Sequence, residues 1–114
     1  MRDVLLLLSI RESIESIEEY VSEGRSAFEG DKKTRDAVLR NLHTLSESVL
    51  RISPELKARY PEVAWRDIAA FRNVVVHDYL ALDLAVIWDV VAADLPVLRS
   101  QVTGILQDLS PGGA

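Results

Sequence analysis

Cysteine is absent from this 114-residue chain, histidine occurs twice, and acidic side chains outnumber basic ones by 18 to 13. Without cysteine there are no disulfides and no thiolate metal sites. The two histidines, His43 and His77, are too far apart in sequence to form a recognisable metal-ligand spacing. No metal and no cofactor is therefore expected. Long apolar runs are missing as well: Val4 to Leu8 is too short to cross a bilayer, and no cationic start followed by a small-residue cleavage site makes it a signal peptide. The expected address is the cytoplasm, with no membrane partner. No segment sustains a strand-like alternation of apolar and polar residues, and there is no internal repeat. A net charge of −5 argues against a protein that coats nucleic acid through a broad basic surface, because such binding rests on neutralising phosphates with lysine and arginine.

What is present is spaced for helices. Leu7, Ile10, Ile14, Ile17 and Val21 recur at three- and four-residue steps, with Arg11, Glu12, Glu15, Glu18 and Glu19 between them, which predicts an amphipathic helix from about Asp3 to about Glu23. Gly24 and Gly30 bracket a segment expected to be irregular. Asp31 can cap a second helix whose stripe is Val38, Leu42, Leu45, Val49 and Ile52. Ser53-Pro54 reads as a cap followed by proline at the first helical position, and Pro61 stops a short extra helix that holds Leu56 and Tyr60. A third main helix, beginning just after Pro61, carries Trp65, Ile68, Ala69 and Phe71. A fourth, capped by Asp83, runs through Leu84, Ile87, Trp88, Val91 and Leu95 until Pro96 kinks or restarts it before Val102, Ile105 and Leu106. The fold class is all-α: an antiparallel four-helix bundle, with a short extra helix between the second and third and a proline kink in the fourth. One domain is expected over residues 1–109, with 110–114 as a flexible tail, and its modest core would gain from oligomerisation.

Charge is unevenly spread. Residues 1–30 carry 3 basic and 7 acidic side chains, residues 31–79 carry 9 and 7, and residues 80–114 carry 1 and 4. The segment with a basic excess contains Phe71-Arg72-Asn73-Val74-Val75-Val76-His77-Asp78-Tyr79, an inventory suited to a phosphodiester. Arginine is permanently charged and presents forked donors to phosphate oxygens, while histidine exchanges protons near neutrality. Cutting RNA without a metal requires a base for the 2′-hydroxyl, a stabiliser of charge on the phosphorane and a proton for the departing 5′-oxygen. His77 is the natural base or acid, and Arg72 the natural charge stabiliser. At ~100° per residue, Asn73 and His77 lie on nearly the same helix face, so the amide can orient the imidazole, whereas Arg72 and His77 lie roughly 140° apart. Either the helix bends at Val75 to His77, or the two residues meet through a second protomer, and a two-fold dimer would supply both roles from two chains. Tyr79 returns to almost the azimuth of Arg72, and Asp78 beside it can tune or repel an anionic substrate.

The order Arg72, four residues, His77, one residue, Tyr79 resembles the Arg-x4-His-x-Tyr motif of HepT-like proteins of the HEPN superfamily. The likeness continues through "MRDVLLLLSIRESIESIEEY", "AVLRNLHTLSESVLRISPELKARYPEVAWRDIAAFRN" and "DLAVIWDVVAADLPVLRSQV", which together cover nearly the whole chain. The resemblance implies an all-helical, metal-independent endoribonuclease toxin: a homodimer whose two motifs face each other across a cleft, with RNA as substrate, Arg72 and His77 catalytic, and Asn73 and Asp78 in support. It also implies a partner, an antitoxin nucleotidyltransferase of the MNT type, which assembles with the toxin and adds AMP units to the motif tyrosine, by position Tyr79. An adenylylated Tyr79 would place a bulky anion beside Arg72 and block RNA by charge and volume. The sequence departs from the family's usual pattern at Ala70-Phe71, where a small residue and a methionine are more common, a difference of packing volume.

The same residues carry plainer readings. A histidine near a helix end commonly meets the last carbonyls, and an arginine there commonly joins a surface ion pair. Trp65 and Trp88 read as core or interface residues, and His43, beside the stripe of the second helix, as structural or solvent-facing. The competing functional class is a catalytically inactive dimer that binds nucleotide or RNA, or that docks a nucleotidyltransferase, since a fold does not settle a function.

Overall fold

The computed structural model describes residues 2–77 and 83–110, with only the backbone of 73–77. Asp78 and Tyr79 lie outside the described residues. Five helices precede residue 78: α1 (Arg2–Tyr20), α2 (Arg25–Gly30), α3 (Lys32–Arg51), α4 (Pro54–Arg59) and α5 (Trp65–His77). After residue 82 come α6 (Leu84–Asp89), a π-helical turn (Val90–Asp94) and α7 (Leu95–Leu109), which follow one another without a gap. No strand occurs among the described residues, and no helix among them is long and apolar enough to cross a membrane.

The bundle is all-α, as the apolar periodicity requires. α1 packs against α3 and α7, and α3 packs against α5 on its other side. Leu7, Ile10, Ile14 and Ile17 of α1 meet Val38, Leu42, Leu45 and Val49 of α3 in one core, which Val102 and Ile105 of α7 complete. Burying each such side chain contributes about 1.5–3 kcal/mol, which is why the stripe spacing rather than helix propensity decides the fold.

The caps follow from local side-chain chemistry. Asp31 accepts hydrogen bonds from Lys33 N at 3.3 Å and Thr34 Oγ1 at 2.7 Å, and Asp83 accepts from Ala85 N at 2.9 Å. Ser53 Oγ accepts from Leu56 N at 3.2 Å and, with Pro54 in the first turn, starts α4. The same serine is tied to α1: its N–H and hydroxyl donate to the two carboxylate oxygens of Asp3 at 3.0 and 2.6 Å. Burial alone would raise the pKa of Asp3, but the bonds from Ser53 outweigh it and hold the carboxyl below its ordinary value. A lowered carboxylate pKa stabilises the fold above the unfolded value, and this contribution is lost as pH falls through the folded one. Ser53→Ala is therefore expected to cost about 0.5–2 kcal/mol in urea unfolding at neutral pH. The difference from the parent should narrow once acid protonates Asp3; a constant difference down to strongly acidic pH would mean that the bridge contributes nothing.

Four local features differ from the sequence expectation. Residues 25–30, expected to be irregular, form α2, whose Phe28 is fully buried and packs against Trp88 with ring centroids 5.7 Å apart. α1 ends at Tyr20 rather than near Glu23, because the chain tightens into turns toward Gly24, which takes a φ of 97° that L side chains avoid. α5 begins at Trp65 rather than just after Pro61: Trp65 N–H bonds Val63 O at 2.9 Å, and the indole Nε1 donates to Tyr60 O at 3.0 Å, so residues 61–64 are spent on a turn. The restart expected at Pro96 takes the form of the π turn, in which Leu95 N–H reaches back five residues to Val90 O. Proline has no N–H and its ring opposes the carbonyl four residues earlier, so the preceding turn widens before the α-helix resumes.

Candidate functional site

α5 carries the motif from Arg72 to His77 in its C-terminal half. Its backbone is helical through His77, and at ~100° per residue Arg72 and His77 stand roughly 140° apart along such a helix. Asn73 and His77 keep the four-residue spacing that puts both on one face. Asp78 and Tyr79 follow beyond the described residues.

The side chain of Arg72 leaves α5 toward α3 and is 46% exposed. Its Nε donates a short hydrogen bond to Glu47 Oε1. That bond holds the Glu47 carboxyl below its ordinary value, with the charge of Arg72 acting in the same direction, so the pair is intact at neutral pH and is lost only as acid protonates Glu47. A guanidinium has five N–H donors. One is committed to Glu47, and the terminal amino groups make no hydrogen bond among the described residues. Glu47 therefore orients the guanidinium through one of its donors.

His43 lies one helical turn before Glu47 on α3, with Nε2 3.7 Å from the same carboxylate oxygen. Its Nδ1 is buried and has no hydrogen-bond partner among the described residues. The sequence reading of His43 as structural or solvent-facing thus describes a partly buried ring that flanks the Arg72–Glu47 pair. Glu47 itself escaped the sequence reading. Its only local signal is the four-residue spacing from His43; its meeting with Arg72 depends on how α3 sits against α5.

Beside Arg72 a shallow groove of about 620 Å³ opens between α3, α4 and α5, lined by Leu50, Lys57, Arg66, Ala69 and Ala70, with Trp65 at its base. Alanines on α5 and an outward-facing Leu50, 47% exposed, leave an apolar floor under three cations. Such a surface can hold a chain that is anionic along its backbone and apolar on its rings. Among the described residues no group of three or more acidic or histidine side chains is arranged to hold a metal ion.

The family described as ribonuclease HepT-like matches residues 10–105. The chain is 38% identical over 98 residues to a protein of Thermococcus cleftensis named as a probable ribonuclease HepT, a match covering 83% of this chain and 87% of that one. It is 32% identical over 110 residues to a protein of Methanocaldococcus jannaschii whose name joins gamma-glutamylcyclotransferase to a candidate RNase; the match covers 95% of this chain, which spans 50% of that relative's length. A third similar protein, from Caldanaerobacter subterraneus, is named as a candidate RNase and is 30% identical over 80 residues, 70% of this chain and 71% of its own. No solved structure gives a significant match.

Proposed function

The chain belongs to the HepT-like ribonuclease family, and from that premise we propose that it is a metal-independent endoribonuclease that cuts RNA as a homodimer. The observation that carries this reading is the setting of Arg72: it lies inside the matched residues, on a helix continuous through His77, at the edge of a basic groove, with one donor held by Glu47 and its terminal amino groups making no hydrogen bond among the described residues. In the proposed reaction His77 takes the proton of the 2′-hydroxyl as that oxygen bonds to phosphorus. The bond from phosphorus to the 5′-oxygen breaks, and the leaving oxygen takes a proton from the partner's His77. The fork of Arg72 stabilises the charge that builds on the non-bridging oxygens. Asn73 orients the imidazole, and Asp78 supports the site. The azimuths of Arg72 and His77 favour a dimer, because one face of one helix does not present both.

The reading includes regulation. An MNT-type nucleotidyltransferase acts as antitoxin, assembles with the dimer and silences it by adding AMP to Tyr79, making this chain the toxin of the pair. The spacing of Tyr79 from Arg72 and His77 in the motif supports this assignment.

The test is cleavage of bulk RNA by the unmodified purified protein in excess chelator. Expected are fragments whose 5′ ends are free hydroxyls, labelled directly by polynucleotide kinase, opposite 2′,3′-cyclic phosphates. No cleavage, cleavage only after a divalent metal is restored, or 5′-phosphate ends would overturn the proposal. A second reading, a dimer that holds nucleotide or RNA or docks the nucleotidyltransferase without cutting, is favoured by one observation: Glu47 offsets the charge of Arg72. It predicts RNA binding without fragments in the same experiment.

A further inference from the structure

Five of the chain's 13 lysines and arginines line two adjoining depressions on one side of the bundle. The groove beside Arg72 shares Leu50 and Lys57 with a second depression of about 610 Å³, whose walls include Arg2, Arg51, Ile52 and Pro54. Together they form a track from Arg72 and Arg66 on α5, past Lys57 on α4, to Arg51 and Arg2 at the end of α3 and the start of α1. Arg66 and Arg72 alone are about 9 Å apart along the axis of α5 at 1.5 Å per residue. The carboxylate in its wall is Asp3, already occupied by Ser53. Lys57 and Arg66 have no acidic partner among the described residues.

This concentration stands out in a chain of net charge −5. Surface cations are usually offset by neighbouring carboxylates, as Arg99 is here by Glu15 and Glu18 and Arg25 by Glu29. Among the described residues that offset is missing at Lys57 and Arg66, which leaves both cations available to an anionic strand.

We infer that this track, from Arg72 through Arg66 and Lys57 to Arg51, binds the sugar–phosphate backbone of single-stranded RNA on one side of the cut. The inference rests on the ribonuclease reading above. Lys57 and Arg66 are positioning residues for the strand, whereas Arg72 belongs to the reacting phosphate. The occupant is single-stranded because the small floor of Ala69, Ala70 and Leu50 accepts unpaired rings beside a row of phosphate contacts. A chain that grips RNA this way needs no broad basic surface, which reconciles its acidity with an RNA substrate.

The test uses the full chain and an all-deoxy oligonucleotide, which lacks the attacking 2′-hydroxyl and is not cut. Its affinity is measured by fluorescence anisotropy across a salt series for the parent, Lys57→Gln, Arg66→Gln, the double variant, and Arg40→Gln as an off-track control. Each lost phosphate contact removes about 0.7 from the slope of log affinity against log salt, or about fivefold in affinity near 0.1 M salt and about 25-fold for the pair. Cleavage of a dinucleotide too short to reach the track is measured alongside, and Arg40→Gln should cut it as the parent does. Oligonucleotide binding equal to the parent in the double variant would overturn the track, whatever the cleavage assay shows. A polyglutamate peptide bound by the parent as tightly as the oligonucleotide would also overturn it, assigning the face to an acidic protein segment. Failure of every protein, parent included, to cut the dinucleotide would count against the ribonuclease reading and leave the binding result to decide the track.

Discussion

His77→Ala is expected to lower the rate of RNA cleavage by about 10²–10⁴, the usual worth of a positioned general acid or base. Thermal melting of the variant beside the parent separates lost chemistry from lost fold. If the two histidines of a dimer serve one phosphate as base and acid, a dimer with a single altered copy loses a partner for both steps. Adding excess His77→Ala subunits to the parent and allowing exchange should then silence the parent as well. Undiminished activity per parent subunit would mean that each protomer cuts alone, and a full rate in the pure variant would mean that the proton chemistry lies elsewhere.

The second large effect concerns stability. Phe28→Ala should cost about 3–5 kcal/mol in urea unfolding, because a fully buried aromatic is lost and the cavity it leaves cannot collapse completely. A domain of this size commonly has about 5–15 kcal/mol in total, so the variant should lose a large share of its stability. Phe28 joins α2 to α6 through Trp88; without it α2 keeps the hydrogen bond from Arg35 of α3 to Glu29 O, while the exposed pair between Arg25 and Glu29 lies within α2 and ties it to nothing else. Phe28→Leu keeps much of the contact and should cost far less. A cost below about 1 kcal/mol for the alanine variant would show that α2 is an ornament on the bundle rather than a part of its core.

That α2 went unread in the sequence has a physical cause. Six residues make fewer than two turns, too few for an apolar face to repeat, and the one buried side chain carries no period. α1 and α3, with 19 and 20 residues, repeat their stripes four or five times and were legible to within a few residues. The caps at Asp31, Ser53 and Asp83 were legible because a side chain bonding a nearby N–H is a local event. Arg72 was singled out by its spacing from His77. Its partner Glu47 was not, because a contact across 25 residues depends on how α3 and α5 meet, which composition and spacing do not reveal. His43 was read as structural or solvent-facing, and its partly buried ring flanks that same pair. Pro96 announced an interruption without saying what form it would take.

The π turn between Val90 and Asp94 has a consequence for comparing this chain with its relatives. A turn closed by bonds to the fifth residue back holds one more residue than an α turn. It behaves as a single-residue insertion absorbed inside a helix, hidden because the chain on either side stays helical. A relative without the proline can run the same helix one residue shorter, and positions on one side of the turn then pair with this chain one place out of step. Matching Ile87 on one side and Leu98 on the other to such a relative would require a gap within Val90–Asp94, where the chain stays helical.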